Sequence, residues 1–500
     1  MLNIKNQREC FFDNYLIDEE KTTAPARLHK PVRRGVLIEM DQIWERLTHM
    51  HSVIWAEGKW KFYYIGRHNE REKRTVCYME SEDGLNWVRP DLGIVEIKGD
   101  SHNNIILNNA MLEQFGFMKG FDNFSVSYDT NPKCPPEERY KMVGWWYGHQ
   151  ALVCLKSADG IHFTKCDLIT EDGAFDSQNR AFWSEHHNKY FSYFRGENTP
   201  GEDIGAIDYS YTTKIAQALF DPETWAMRAP GEDAEPFMRA VYMAESEDFV
   251  HWTKSRPISY NGREFQIYNN CVFPYPRAPH MLIAFPLRYV ERKDWTKNYD
   301  ELCGQEARKE RVKFVARYGL AITDGMFMSS RDGVNFTKFD EAFLPPPPEY
   351  PGSFVYGDGA AVPTLIEVPS EIPGGETEYM IMVRENFRRV EGNNQMVKYT
   401  IRKDGFVSRY SGSEPTKLVT KEFVFEGKDL FANIATSARG GAYFTLKCGD
   451  EAVTSVEIFG NSTHKRIRFA DDEAVAKFSG KPVTLEVEMY DCDLFAIKFE

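Results

Sequence analysis

Three aspartates open stretches that are otherwise built for burial: Asp122 in DNFSVSY, Asp176 in DSQNRAFW and Asp358 in DGAAV. A carboxylate at the start of an apolar strand is costly unless it is paired or used. Three carboxylates converging on one mouth can cleave a glycosidic bond. One protonates the leaving oxygen, a second attacks carbon or activates water, and a third tunes the acid or orients the sugar. Glu197 (YFRGE) and Glu385 (MVREN), at the ends of following strands, are candidates for the general acid.

Polar residues of the same two kinds of position complete a candidate binding set. His49, His51, Asn123, Gln178, Asn179, Asn269 and Asn270 belong to first-strand starts, and Arg67, Arg195, Arg288 and Arg384 to second-strand ends. Taken singly, each is as well explained by a cap or a turn. The recurrence of aspartate at one kind of position is what favours a shared site. The arginines could pair with the aspartates or bind an anionic group of a substrate, and both readings stay open. The His-x-His spacing of His49 and His51 is a weak metal signal, so no metal and no cofactor is expected. Trp145, Trp146, Tyr147 and Tyr268 could stack on a sugar face, whereas Phe182 and Trp183 are better read as core.

The elements that would position these groups are legible from a repeat. MESEDGLNW (79–87), LKSADGIHF (155–163), AESEDFVHW (244–252) and MSSRDGVNF (328–336) share Ser-x-Asp-x-x-x-aromatic, 76, 89 and 84 residues apart. A degenerate fifth copy, IRKDGFVS, follows at 401–408. Asp can fold its carboxylate onto backbone N–H groups and Gly permits positive φ, so the motif predicts a tight turn anchored by its aromatic. Alternating aromatic and β-branched runs, such as SVIWAEGKWKFYYIG and YKMVGWWYG, precede the copies and read as strands. A charged stretch near 299–316 is the one candidate helix.

Units of four short strands repeated five times predict an all-β chain, a five-bladed β-propeller over 1–412 followed by a small β-sandwich over 413–500. The segment FFDNYLID (11–18) is expected to supply the strand that closes the ring. The C-terminal unit could bind carbohydrate, pack on the propeller or mediate a homo-oligomer. A 14% aromatic content among 500 residues suits such a sheet-based core.

The net charge of −14 argues against nucleic acid as a partner. No run of about 18 apolar residues suggests a membrane span. A polar, acidic start and nine scattered cysteines without CxxC point to a reduced, cytoplasmic setting with a carbohydrate substrate as partner.

The segments FFDNYLID, FDNFSVSYDTNPKCPPEERYK, FDSQNRAFWSE, YNNCVFPYPRAPHMLIAFPLRY and FVFEGKDLFANIATSARGGAYFTLK together resemble a broad bacterial group related to glycoside hydrolase families 32 and 43. The resemblance spans nearly the whole chain and implies a five-bladed propeller, a C-terminal sandwich and furanosidase-like or related glycosidase chemistry. The Asn-Asp-Pro-Asn-Gly, Arg-Asp-Pro and Glu-Cys motifs of family 32 are missing, and THMHSV stands where its nucleophile would be. Fructan hydrolysis is therefore not implied. The expected activity is an exo-acting glycoside hydrolase on small glycosides. The alternatives are a glycoside phosphorylase, a uronate-specific glycosidase that uses the rim arginines, or a non-catalytic carbohydrate-binding propeller.

Overall fold

The computed structural model describes residues 1–67, 74–116, 121–146, 148–198, 238–292, 295–314, 316–387, 393–471 and 473–500. Strands dominate, and they fall into antiparallel sheets that follow one another along the chain. The first sheet runs Leu47–Ala56, Lys59–Arg67, Thr75–Ser81 and Ile105–Asn108 in sequence order. The second runs Phe121–Tyr128, Tyr140–Trp146, Ala151–Ser157 and Lys165–Thr170. The third runs Arg180–Ser184, Lys189–Asn198, Met238–Ser246 and Arg256–Pro257. The fourth group is split, with Gln266–Asn269, Leu287–Glu291 and Ala321–Gly325 in one part and Val272–Pro274, Leu282–Ala284, Met328–Ser330 and Asn335–Lys338 in the other. The charged stretch inserted here forms helices at Lys297–Glu301 and Gln305–Phe314. In the fifth, Ala360–Ala361, Glu378–Glu385 and Gln395–Arg402 are joined by Val32–Glu39.

Each sheet buries apolar side chains on both faces, and the cores lie between successive sheets. Tyr63, Ile65, Phe124 and Met142 fill the space between the first and second, and Val143, Leu152, Phe194 and Ala244 that between the second and third. The series closes on itself, because Ile38, Met380 and Met396 of the fifth sheet pack with Val53, Phe62 and Tyr64 of the first. At about 1.5–3 kcal/mol per fully buried apolar side chain, these layers carry most of the cohesion.

The four repeated turns form as the spacing predicts, each after the third strand of its sheet. Ser81 Oγ accepts from Gly84 N at 2.9 Å, while Asp83 Oδ1 accepts from Leu85 N and Asn86 N at 2.8 Å. The copies at Asp159, Asp248 and Asp332 repeat these bonds within 0.1 Å. The degenerate copy differs: Asp404 is buried and receives Arg8 and Arg277 at 3.1 Å, Tyr275 OH at 2.5 Å and Asn433 Nδ2 at 3.0 Å. It ties the last repeat to both ends of the chain.

Two boundary expectations are corrected. Residues 1–28 pair with C-terminal strands and not with the repeated sheets: Leu2–Lys5 lies parallel to Phe423–Phe425, Arg8–Cys10 pairs with 496–498, and Ala26–Leu28 pairs with 407–409. Val407–Ser411, expected to precede the boundary at 412, joins the same C-terminal sheet. That sheet is built on the long strands Leu430–Cys448 and Thr484–Phe499, and its core includes Phe11, Leu16 and Ile17 from FFDNYLID. The strand that completes the fifth sheet is instead Val32–Glu39, antiparallel to Gln395–Arg402. Alternation of side chains marks a strand but does not name its partner, which is why the ends were misassigned.

Candidate active site

The first strands of the sheets are knit together by short polar bonds. Ser52 Oγ accepts from Val126 N at 3.0 Å, and Ser125 Oγ donates to Asn179 O at 2.5 Å. Asn270 Nδ2 donates to Gln178 O at 2.8 Å, and Cys271 Sγ donates to Ala361 O at 3.4 Å. Asn394 Nδ2, from the fifth sheet, returns to Thr48 O at 3.0 Å. Several candidate binding residues are consumed here. Asn179 Nδ2 donates to Asn123 O at 2.8 Å and Gln178 Nε2 to His51 O at 2.7 Å. Arg384 donates to Thr48 O and Gly357 O, with Phe387 stacked on its guanidinium. These residues hold the sheets in register.

The chain is locally distorted where these strands begin. Met50, Asn123, Cys271 and Gly359 all have positive φ, between 50° and 79°. The pairing slips beside Met50, Asn123 and Tyr268. Such bulges re-aim side chains and collect near functional sites. His49, Asp122, Asn270 and Asp358 each stand immediately before the left-handed residue. Asp176 stands immediately after one, Phe175 at φ 56°, in a short excursion that ends at Arg180. The three aspartates are therefore not equivalent: Asp122 and Asp358 share a position, and Asp176 does not.

Their environments differ as well. Asp122 is buried, is ion-paired to Arg74, and lies 3.5 Å from His49 Nε2. Burial would raise its carboxyl, but His49 and Arg74 outweigh that and hold it at about 2. Desolvation, aided by Arg67 and Arg74, lowers His49 to about 4 in spite of Asp122. Asp358 is also buried, and accepts from Phe387 N at 2.7 Å and Asn386 N at 3.2 Å. There desolvation dominates, and with Glu385 nearby it pushes the carboxyl up to about 8 against those amides and Arg384. Asp176 is exposed, accepts from Asn123 Nδ2 at 3.3 Å, and interacts electrostatically with Arg195 and Tyr268. Aspartates held in opposite protonation states are what acid–base chemistry needs.

The remaining candidates divide between structural ion pairs and residues in other settings. Glu385 is buried against Arg33 at 3.0–3.1 Å and Tyr399 OH at 2.7 Å, facing away from Arg384. Arg288 forms a two-pronged pair with Asp324 at 2.8 and 2.6 Å. Both are structural ion pairs. His51 is buried, with Thr48 Oγ1 at 3.0 Å from its Nε2, and desolvation keeps it well below the usual imidazole range. Glu197 is exposed at the end of its strand, and Asn269 is buried with an Oδ1 that accepts no hydrogen bond. Arg67 is buried beside His49. Arg195 is buried, donates to Tyr268 O at 2.9 Å and lies 5.1 Å from the Tyr268 ring centre. Phe182 is core, and Trp183 packs on Tyr190. Trp145 and Trp146 are half-buried on their sheet, and Tyr147 falls outside the described residues. Tyr268, half-buried among Tyr289 and Tyr356, interacts electrostatically with both Asp176 and Arg195.

Two buried or ion-paired arginines beside these aspartates carry little signal in the sequence, Arg74 on Asp122 and Arg180 at the start of its strand. Arg74 was missed because nothing in TVCYMES marks its predecessor as a partner of Asp122. Arg180 stands between Asn179 and the apolar run AFW, and a guanidinium opening such a strand is itself a signal. Among the described residues, no group of three or more His, Cys, Asp or Glu comes together as a metal site, and no helix is long and apolar enough to cross a membrane.

No protein-family model matches the chain, and no curated protein matches it. Solved structures do align with it. One is an N-acetylgalactosamine deacetylase from F. plautii in complex with blood group B trisaccharide, at 11% identity and a TM-score of 0.40 over 75% of this chain and 94% of that one. A second comes from the GH130 family of mannoside phosphorylases, which contains glycoside hydrolases that target β-1,2 mannosidic linkages in Candida mannan. It aligns at 11% identity and 0.41 over 74% and 94%. A third, a glycoside hydrolase family 32 structure from Bifidobacterium adolescentis, aligns at 9% identity and 0.36 over 95% and 82%. Likeness at this level leaves the activity of the chain to be argued from its own residues.

Proposed function

We propose that the protein is a glycoside hydrolase built as a five-bladed β-propeller with an attached β-sandwich, cleaving small glycosides, exo-wise, at the mouth of the propeller channel. In this reading the five sheet groups are blades and their first strands line the channel. The observation that carries it is the contrast among three aspartates at the first-strand starts. Asp358 is held protonated by burial, Asp122 is held ionised by Arg74 and His49, and Asp176 is open to solvent. Asp358 is the general acid that gives its proton to the leaving oxygen. Asp176 is the carboxylate that attacks the anomeric carbon or takes a proton from water. Asp122 stays charged and stabilises positive charge developing on the sugar ring. Tyr268 offers its ring to the apolar face of the sugar.

The test is a panel of 4-nitrophenyl glycosides and short oligosaccharides, assayed with wild type and with D176N and D358N. Each substitution should lower kcat by about 10²–10⁴-fold on whichever substrate turns over. Full activity in both variants would overturn the assignment.

A further inference from the structure

Arg180 is a guanidinium in the wrong setting for a purely structural residue. It is 7% exposed, its Nε is shielded from solvent, and its guanidinium makes no hydrogen bond or ion pair with any described residue. Its neighbours are the Phe182 ring, 5.9 Å away, and the Cys271 thiol, which cannot neutralise it because burial raises that thiol to about 12. Leaving a buried charge in this state is expensive. Arg8, Arg33 and Arg288 each face a carboxylate at 2.6–3.1 Å, so the fold does pair arginines elsewhere.

A second guanidinium lies on the same face of the same sheet. Arg180 pairs across the ladder with Tyr193, so its diagonal neighbour is Arg195, about 7–8 Å away at the backbone. Arg195 is buried, donates among the described residues to one backbone carbonyl, leaves its Nε unpaired among them, and feels Arg239 as a like charge. Asp176, a carboxylate that acts on it, is exposed and is already engaged by Asn123. Two arginine forks on one face, with no carboxylate ion-paired to either among the described residues, match the geometry of a carboxylate or a phosphate.

We propose that Arg180, with Arg195, is the specificity determinant of the site and binds the anionic group of a negatively charged sugar, a carboxylate or a phosphate. This rests on the reading of the mouth as a sugar site, and it narrows the substrate to an acidic class.

Binding to the full-length protein tests it without requiring turnover. Glucuronate, galacturonate, inorganic phosphate and glucose are titrated calorimetrically at fixed ionic strength. At least one of the anions should bind tenfold or more tightly than glucose. R180M should lose at least tenfold of that affinity, and R180K, which keeps the charge without the fork, should lose less. Binding by the uronates alone assigns the anion to a sugar carboxylate, and binding by phosphate alone assigns it to a phosphate group. Anions that bind no better than glucose, or bind R180M as they bind wild type, would overturn the proposal. The wild-type comparison decides even if R180M does not fold. Selective anion binding combined with full turnover by D176N and D358N would sink the catalytic assignment and leave the anion site standing.

Discussion

Asp83, Asp159, Asp248 and Asp332 sit in four turns with the same hydrogen bonds, whereas Asp122, Asp176 and Asp358 sit in three different environments at the starts of the first strands. Both sets recur with the sheets, yet only one is uniform. In each turn the carboxylate accepts from the same two backbone amides and the preceding serine, and its charge is stabilised in the same direction. At the strand starts one carboxyl is lowered, one is raised and one is open to solvent. Uniform repetition is what folding needs, since every sheet must turn the same way. Divergence among the strand starts is what a reaction needs, since acid and base cannot be the same group in the same state.

That contrast is most exposed to failure in activity. D176N and D358N should each reduce kcat by about 10²–10⁴-fold, D176N with little change in melting temperature, while the same exchange at a turn aspartate should leave kcat within about twofold. Next in size is D122N, which strands the Arg74 charge beside His49 and should cost about 3–5 kcal/mol in urea unfolding. If D122N unfolds like wild type, Asp122 is not the buried anchor described here.

The pH dependence separates the strand-start carboxyls from one another. Native Asp358 keeps its proton up to about pH 8, whereas the unfolded chain releases it near 3.8. The native state therefore binds the extra proton between these values, and stability from this group falls as pH rises through the window. His49 does the reverse. Its folded value near 4 lies below the unfolded 6.5, so its contribution is full above 6.5 and is lost as pH falls towards 4. D358N should flatten the decline in melting temperature between about pH 4 and 8, and wild-type kcat/KM should fall as pH rises through about 8. A slope unchanged in D358N would remove Asp358 from the role of acid. Smaller again is D332A, where the loss of a turn's amide bonds should cost about 1 kcal/mol and leave kcat unaltered.

The sequence made the turns and most strands legible because they are local: a serine, an aspartate and an aromatic at fixed spacing specify their own hydrogen bonds. It also singled out Asp122, Asp176 and Asp358, since acids interrupt apolar runs there. It did not reveal that residues 1–28 pair with strands four hundred residues away, because pairing is non-local. The grouping of Glu385 with Arg384 was avoidable, as consecutive strand residues face opposite sides. The left-handed backbone at Asn123 and Cys271 left no such trace, and it is what re-aims the side chains at the strand starts.

One turn tests how far repetition constrains the scaffold. Where the other three clear copies have Gly84, Gly160 and Gly333, the third sheet has Phe249, at φ 67°. Its ring is 3% exposed and packs on Tyr190 at 5.1 Å, with Lys141 Nζ 4.8 Å from its centre. Packing therefore outweighs a left-handed backbone that opposes a side chain by roughly 1–2 kcal/mol. Truncation should destabilise the protein either way, but not in the usual order. F249A loses the ring and keeps the strain, whereas F249G loses the ring and relieves it. F249G should thus be the more stable of the two by about 1 kcal/mol in urea unfolding, although it removes more atoms. The opposite order would mean that the turn tolerates a left-handed β-carbon freely, and that glycine in the other three copies serves close packing alone.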